Sequence, residues 1–300
     1  MIDFTGGNPF YLNTLCTHLA KSVKSKNINS VSFSTIIDVL EELLFEPYSV
    51  FNARFTNYLL KINNSFRITG PLIWVLLALA SGINKPKDIA QHLKWKQSEV
   101  NSRLNRLMEM DILSKNGTFY ILKDKVFSFW LKLVCGQKLN VLNPNMDAIR
   151  ETFRKKLHKI LKEYENSFQK NISDRVEELF SKFNNDYAKI GNHRFKLPKF
   201  NVIKRVSLEG ERIKHGVIGY SDKQLIIIAL RDGIVQEDDV VEFLSKCKHY
   251  RYKKSQRVLI ALGGIENNAW HLARQNRLHT WNLKKLNTLM ELYSKPGVHR

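Results

Sequence analysis

The sequence predicts a multidomain protein in which helical segments are followed by a domain of alternating helices and strands. Three observations predict this class. The chain has 300 residues, which exceeds the usual size of one domain. Apolar residues recur with helical spacing through most of the amino-terminal half. Further along, short apolar runs typical of strands alternate with helical patterns, which favours an α/β domain around a central sheet.

The first segment is predicted to be helical. The side chain of Asn8 can cap a helix, and Pro9 supplies the fixed φ that suits a first helical position. The apolar face of this helix follows at Phe10, Leu12, Leu15 and Leu19. A second helix is predicted from Ser34 to Phe45, ahead of Pro47.

The next segment predicts three helices and a hairpin. The helices run from Leu72 to Ala80, from Pro86 to about Leu93, and from about Gln97 to Met110. Two strand-like runs then flank Lys115-Asn116-Gly117, and Asn-Gly between such runs is a strong hairpin signal. Three helices followed by a hairpin is the order of a winged helix.

An aromatic helix, Phe127 to Val134, and a long helix, Asn145 to Phe168, lead into the last segment. There a helix is predicted from Ser173 to Phe183, followed by a strand from Asn201 to Leu208. The remaining predicted elements alternate between strands and helices: strands Val217–Tyr220 and Gln224–Leu230, helix Asp238–Cys247, strand Arg257–Leu262, helix Asn268–Gln275, strand Leu278–Trp281 and helix Lys284–Tyr293.

The composition predicts a basic cytoplasmic protein. Lys and Arg number 48 against 28 Asp and Glu, which gives a formal net charge of +20 and attracts polyanions. The three cysteines show no metal or disulfide spacing, which suits a reducing compartment. No apolar run reaches the roughly 18 residues that span a bilayer, and the amino terminus does not resemble a signal peptide.

The third helix of the predicted winged helix is the candidate DNA-binding surface. Val100, Leu104 and Leu107 share its apolar face. The opposite face, the helix start and the hairpin tip carry residue types that contact base edges and phosphates. These candidates are Lys94, Lys96, Gln97, Asn101, Ser102, Arg103, Asn105, Arg106 and Lys115. The alternative interpretation is a solvated helix face or a protein contact.

A basic stretch with Tyr250 and Tyr252, Lys246 to Lys254, is a second candidate for holding a nucleic-acid backbone.

Phe4 to Leu12, which includes Gly6-Gly7-Asn8-Pro9, resembles the Gly-Gly-x-Pro element in the helical lid of archaeal STAND-type P-loop ATPases of the MNS class. In that family the element follows the ATPase core and faces the nucleotide. This chain contains no Gly-x-x-x-x-Gly-Lys-Ser/Thr loop to hold phosphates. The resemblance therefore implies an ATPase-family protein without its ATPase core, and ATP hydrolysis by this chain is not expected.

The family's carboxy-terminal domain is similar to the restriction-endonuclease-like fold, which uses a helix Glu, a strand Asp and a Glu-x-Lys on the next strand. Glu177 matches the helix Glu, but Gly216 stands where the Asp is expected, and Ala229-Leu230-Arg231 replaces Glu-x-Lys. Acids are required because they hold the divalent metal that activates water. Asp222 and Asp232 are candidates for migrated carboxylates, although turns also favour Asp. The domains implied are a lid remnant (1–62), a winged helix (63–136), a connecting helix (137–170) and an inactive endonuclease-like domain (171–300).

The leading hypothesis from sequence is a non-catalytic protein that binds double-stranded DNA and has no cofactor. One alternative is a Mg-dependent nuclease that uses Glu177 with Asp222 or Asp232, and Arg231 in place of the motif lysine. Another is an interaction subunit whose lid motif, Gly6 to Pro9, completes the nucleotide site of a separate P-loop ATPase subunit. No metal site is predicted for the non-catalytic protein, and no membrane partner is expected.

Overall fold

The computed structural model describes residues 2–63, 70–139, 145–208, 210–250, 252 and 254–299. The chain divides into two compact units, an amino-terminal unit, Met1–Glu165, and a carboxy-terminal unit, Asn166–Arg300. Helices dominate the first unit, while the second combines helices with a five-stranded sheet, so the protein has mixed α and β structure. None of the helices in the described ranges combines the length and apolar character needed to cross a membrane.

Among its described residues, the amino-terminal unit contains helices, one hairpin and one π-helical turn. In chain order its elements are α1 (Ile2–Thr5), α2 (Pro9–Ser25), α3 (Phe33–Leu44), α4 (Val50–Asn63), α5 (Pro71–Ala80), α6 (Pro86–Leu93), α7 (Gln97–Glu109), β1 (Leu113–Asn116), β2 (Phe119–Leu122), α8 (Lys125–Trp130), the π-helical turn Leu131–Cys135, α9 (Gly136–Leu139) and α10 (Met146–Gln169), whose last turn enters the second unit. The predicted helices and hairpin of this region are confirmed within a few residues.

An aromatic core joins the first helices to α8. Tyr11, Phe55 and Phe127 are buried in it, and the Tyr11 hydroxyl donates to the carboxylate of Asp124. Burial, reinforced by this hydrogen bond, raises the pKa of the Tyr11 phenol. The same carboxylate caps α8 through the backbone N–H of Phe127, at 2.9 Å. One side chain therefore links the start of α8 to α2.

Asn52 on α4 is a buried polar residue that ties three segments together. Its side-chain amide donates to the carbonyl oxygens of Phe45 at 3.2 Å and Glu46 at 2.8 Å. Its carbonyl oxygen accepts from the indole N–H of Trp130, at 2.8 Å. Since buried polar groups are stable only when hydrogen-bonded, this arrangement fixes α4 against the end of α3 and against α8.

Helices α5, α6 and α7 precede the antiparallel hairpin β1–β2, in which Asn116 pairs with Phe119. Gly117 at its tip has a φ of 62°, the left-handed conformation that glycine adopts without steric cost. The carbonyl of Asn84, between α5 and α6, accepts from the backbone N–H of Tyr120 at 2.8 Å. That bond anchors the hairpin beside the helices.

The long helix α10 packs on the amino-terminal unit through its first half. Ile149, Phe153 and Leu157 are buried at i, i+4 and i+8, the spacing of one helix face. Beside them Arg154 forms ion pairs with Asp38, at 2.7 Å, and with Glu41 on α3. Hydrogen bonds from Lys26 and then Arg154 hold the pKa of the Asp38 carboxyl below its ordinary value.

The carboxy-terminal unit contains four complete helices and seven strands among its described residues. They are α11 (Ile172–Phe180), β3 (Asp186–Ile190), β4 (His193–Leu197), β5 (Val202–Ser207), β6 (His215–Tyr220), β7 (Leu225–Arg231), α12 (Glu237–Cys247), β8 (Ser255–Ala261), α13 (Asn267–Gln275), β9 (His279–Asn282) and α14 (Leu283–Leu292). The hairpin β3–β4 was not predicted from sequence. The helices and strands that were predicted for this unit are confirmed within a few residues.

The five-stranded sheet has the order β5-β6-β7-β8-β9. Its first three strands are antiparallel, and β7, β8 and β9 are parallel. Side chains alternate between its two faces. One face, with Ile218, Ile227 and Leu259, forms a common core with α12 and α13. Helix α11 packs at β5 and β6 on the opposite face, where Phe200 stacks on Phe180 of α11 and its ring lies over Gly219.

Two strand–loop–helix units follow each other in this sheet: β7 leads to α12, and β8 leads to α13. Their loops lie side by side, because a parallel bridge joins Val235 to Ile265. Gly263 allows this contact, since a Cβ atom there would lie 2.6 Å from the carbonyl carbon of Gly233. The close approach of two backbones explains the glycine at this position.

Candidate nucleic-acid interface

Helix α7 presents a continuous polar stripe to solvent. Val100, Leu104 and Leu107 are fully buried and fix the rotation of the helix about its axis. Four exposed residues then lie at i, i+3, i+4 and i+7 on the other side, and we call them the α7 stripe: Ser98, Asn101, Ser102 and Asn105. All four are uncharged hydrogen-bonding side chains. Glu109 follows at the carboxyl end and marks the limit of the stripe.

Cations flank the α7 stripe. Lys94 and Lys96 are exposed immediately before the helix, and Arg106 is exposed along one side of it. Lys94 adopts a left-handed conformation with φ of 57°, which ends α6. Lys96 precedes α7 without capping it through a side-chain hydrogen bond, and Gln97 is exposed at the first helical position. The amino-terminal end of α7, which is electropositive, is therefore accessible to an anion.

Lys115 lies on strand β1 of the hairpin, close to its tip. Its ammonium lies 5.1 Å from the ring centroid of Tyr120, its cross-strand partner, and the residue is exposed. The contact directs the lysine along the hairpin surface while its charge stays in solvent. Eight of the nine predicted DNA-binding residues are therefore exposed. They are Lys94, Lys96, Gln97, Asn101, Ser102, Asn105, Arg106 and Lys115.

Arg103 is the exception among the predicted residues. Its guanidinium stacks on Trp95, 4.7 Å from the ring centroid, and donates to the backbone carbonyl of Glu99 at 2.9 Å. The Glu99 carboxylate lies 3.7 Å away. Arg103 is therefore half-buried and is used to attach Trp95 to α7. Sequence reasoning also missed Ser98, although its spacing of three and four residues from Asn101 and Ser102 could have identified it.

The predicted lid motif forms the start of α2. Gly6 and Gly7 have φ values of 64° and 76°, so both occupy the left-handed region. Asn8 caps α2 by accepting from the backbone N–H of Phe10 at 3.0 Å, and Pro9 is the first helical residue, as expected. Gly6, Gly7, Asn8 and Pro9 are all exposed. This geometry is that of a capped helix start.

The four nuclease candidates do not come together. Glu177 on α11 pairs with Arg205 of β5 on the α11 face of the sheet. The Arg231 side chain lies on the opposite face of the sheet. There its Nε is 3.3 Å from the carboxylate of the fully buried Asp239 of α12. The sheet therefore separates these two candidates, since side chains of adjacent strands alternate in register.

The two candidate aspartates, Asp222 and Asp232, also lie far from each other. Asp222 lies in the β6–β7 turn, where its carboxylate accepts from the side chain of Asn201 at 2.6 Å. Asp232 follows β7 at the other end of the strand, roughly 20 Å away at the usual rise per residue. Within the described ranges no group of three or more His, Cys, Asp or Glu residues is placed to hold a metal ion.

Gly216 occupies the position at which the resemblance implies a metal-binding aspartate. A Cβ atom there would lie 2.8 Å from the carbonyl oxygen of Ile228 and 3.1 Å from the side chain of Leu208. Leu208 is itself buried in the core shared with α12 and α13. An aspartate at this position would collide with the neighbouring strand and with an apolar side chain.

Gly216→Ala is therefore expected to lower the free energy of unfolding by about 1–3 kcal/mol, the usual cost of overpacking a core. Gly216→Asp should cost more, because it also buries a carboxylate, and it should leave DNA uncut in the presence of magnesium. Urea denaturation measures the free energy of unfolding of each variant. Gel electrophoresis of DNA incubated with Gly216→Asp and magnesium shows whether the DNA is cut. Ser207→Ala, at an exposed site on β5, is the control; equal stability of all three variants would contradict the crowding.

The fold and site define a mixed α and β protein with an exposed polar helix flanked by cations. No protein-family model matches the chain, and the search of curated proteins found no match. Among solved structures, protein VC1899 from Vibrio cholerae is similar at 12% sequence identity with a TM-score of 0.26. The similarity covers 86% of this chain, which spans 56% of that protein. A likeness this slight defines neither the fold nor the function of the chain.

Proposed function

We propose that the protein binds double-stranded DNA through α7, with the α7 stripe against base edges and the flanking cations against phosphates. The observation that carries the proposal is the exposure of four uncharged hydrogen-bonding residues on one helix face between cations. Asn side chains can bond adenine through two hydrogen bonds, and Ser side chains can donate to or accept from several bases. The major groove is wide enough to admit an α-helix.

The contacts divide into two kinds with different consequences. Asn101, Ser102 and Asn105 distinguish sequences, because base edges differ in their donors and acceptors. Lys94, Lys96, Arg106 and Lys115 contribute affinity without regard to sequence, because every nucleotide has a phosphate. Arg103 belongs to neither group, since its guanidinium stacks on Trp95 within the chain. The net charge of +20 adds long-range attraction to DNA.

Fluorescence anisotropy with duplexes selected from a random pool, measured across a salt series, tests the proposal. The affinity is expected to fall steeply with salt. Combined Lys94→Gln and Lys96→Gln should reduce the magnitude of the logarithmic salt slope by about 2, near 0.9 for each phosphate that is no longer neutralised. Lys21→Gln with Lys24→Gln, which removes two exposed charges from α2, is the matched control and should change the slope little.

The α7 stripe is tested separately by replacing three of its four residues, Asn101, Ser102 and Asn105, with alanine together. Discrimination between selected and random duplexes should fall about tenfold or more, since each good base contact contributes roughly 1–3 kcal/mol. Binding to random duplex should change by less than about threefold in this variant. Absence of duplex binding at low salt, or equal discrimination by the stripe variant and the original chain, would overturn the proposal.

A further inference from the structure

A small cavity lies in the carboxy-terminal unit where α12 ends and β8 begins. Its volume is about 240 Å³, and its lining residues are Cys247, Lys248, Tyr250, Tyr252, Ser255 and Arg257. We call it the tyrosine pocket. It lies at the amino-terminal end of β8, whereas Arg231 and Asp232 lie at the carboxyl end of the neighbouring parallel strand β7. The pocket therefore lies at the opposite end of the strands from Arg231 and Asp232, and on the side of the β6–β7 turn that contains Asp222.

Arg257 is the cation that reaches into the pocket from the sheet. It pairs in register with Ile227, and like Ile227 and Leu259 it faces the side of the sheet that α12 covers. Its side chain is half-buried, yet no carboxylate among the described residues lies within ion-pair distance of it. A guanidinium that is partly removed from water without an acidic partner favours an anionic ligand.

The other lining groups preserve this positive character. Lys248, just beyond α12, is exposed and adds a second cation, and the lining contains no aspartate or glutamate. Cys247 contributes a buried thiol, and burial raises its pKa to about 12, so it carries no charge at neutral pH. Nothing among these lining side chains would repel an anion. Arg251 and Lys253, which belong to the basic stretch predicted from sequence, lie outside the described residues.

Two tyrosines give the pocket aromatic walls. The Tyr252 hydroxyl donates to the backbone carbonyl of Ser221 at 2.7 Å, and its ring meets Tyr220 edge-on with centroids 6.3 Å apart. These contacts fix the ring orientation before any ligand binds. Tyr250 is half-buried against the core of the unit. Fixed aromatic rings provide stacking surfaces for a planar group at little cost in conformational entropy.

We propose that the tyrosine pocket binds one nucleotide, with its phosphate at Arg257 and Lys248 and its base against a tyrosine ring. Aromatic and cationic side chains are the pair of groups that unpaired nucleotides require. The volume lies just below the roughly 300–1,000 Å³ of most small-molecule sites, which limits the ligand to one nucleotide at most. The nucleotide can be free or can be an unpaired residue of a single strand, because both present the same phosphate and base.

Isothermal titration calorimetry on the full chain tests this proposal with thymidine 5′-monophosphate, thymidine and inorganic phosphate as ligands. The monophosphate is expected to bind about tenfold or more tightly than thymidine or phosphate alone. Arg257→Gln should weaken its binding roughly tenfold or more, since it removes a charged hydrogen bond. Arg274→Gln on α13, an exposed arginine outside the pocket, is the matched control and should have no effect.

Lys248→Gln provides a second variant at an exposed position, where folding is not at risk; it should weaken monophosphate binding by about threefold. Phosphate binding as tightly as the monophosphate would overturn the proposal, as would an absence of binding or normal binding by both variants. A five-residue thymidine oligonucleotide that competes with the monophosphate identifies a single strand as a source of the ligand. Monophosphate binding without competition supports the free nucleotide.

The tyrosine pocket and the α7 stripe are tested independently. Arg257→Gln should leave duplex binding unchanged, and the alanine variant of the α7 stripe should leave monophosphate binding unchanged. Loss of monophosphate binding in the stripe variant would contradict the assignment to the pocket, whereas loss of duplex discrimination in that variant bears only on the proposed function.

Discussion

Replacement of Asn52 by alanine is expected to lower the free energy of unfolding of the amino-terminal unit by about 3 kcal/mol. The residue is only 2% exposed, and the change removes three hydrogen bonds. The Trp130 indole N–H would then be buried without its hydrogen-bond partner. A buried group left unsatisfied costs roughly 1–3 kcal/mol, which exceeds the stabilisation gained by making the bond.

Urea denaturation followed by tryptophan fluorescence measures this effect, because Trp130 itself reports on the site. Asn13→Ala, at an exposed position within α2, is the matched control and should change stability by less than about 0.5 kcal/mol. If the two variants were equally stable, water or rearranged side chains would satisfy the freed groups, and Asn52 would not hold α4 in place.

Gly263→Ala is expected to have the second large effect, a loss of about 2–4 kcal/mol in the carboxy-terminal unit. The new Cβ atom would lie 2.6 Å from the carbonyl carbon of Gly233 and 2.9 Å from the carbonyl oxygen of Asp232. Both are backbone atoms, so a side-chain rotation cannot relieve the contact. The loops would have to separate, which strains the bond between the Val235 N–H and the Gly264 carbonyl.

Gly233→Ala is the matched control for this experiment, because it adds the same methyl group to the other loop. There the nearest atoms belong to the Arg231 guanidinium, at 3.4 Å, and a flexible side chain can move. We expect a much smaller loss, measured by thermal unfolding with circular dichroism. A Gly263→Ala protein as stable as Gly233→Ala would mean that the two loops do not touch.

Much of the fold follows from local patterns in the sequence. Helix α7 was predicted because Val100, Leu104 and Leu107 repeat with helical spacing, and the hairpin β1–β2 because Asn116-Gly117 separates two strand-like runs. The hairpin β3–β4 was missed, although Gly191-Asn192 is a two-residue turn of the same kind. The strands around it are rich in charged residues, which masked their alternation.

The candidate site was predictable only where it lies on one element. The α7 stripe follows from helical geometry, so Asn101, Ser102 and Asn105 were identified correctly as exposed. The stacking of Arg103 on Trp95 depends on how α6 ends and α7 begins, which periodicity does not describe. The separation of Glu177 from Arg231 depends on which face of the sheet α11 covers, a property of tertiary packing.

The mixed sheet also determines the order in which strand pairings become accessible during folding. Strands β5, β6 and β7 are antiparallel neighbours in sequence, and a short turn brings Tyr220 beside Leu225. The parallel pairing of Leu225 with Ser255 requires α12 to cross over first. Closing a longer chain segment costs more conformational entropy, and this cost arises before the strand contacts can stabilise the pairing. We therefore expect the antiparallel strands to pair first, and β8 and then β9 to be added at the edge of β7 after the crossover is complete.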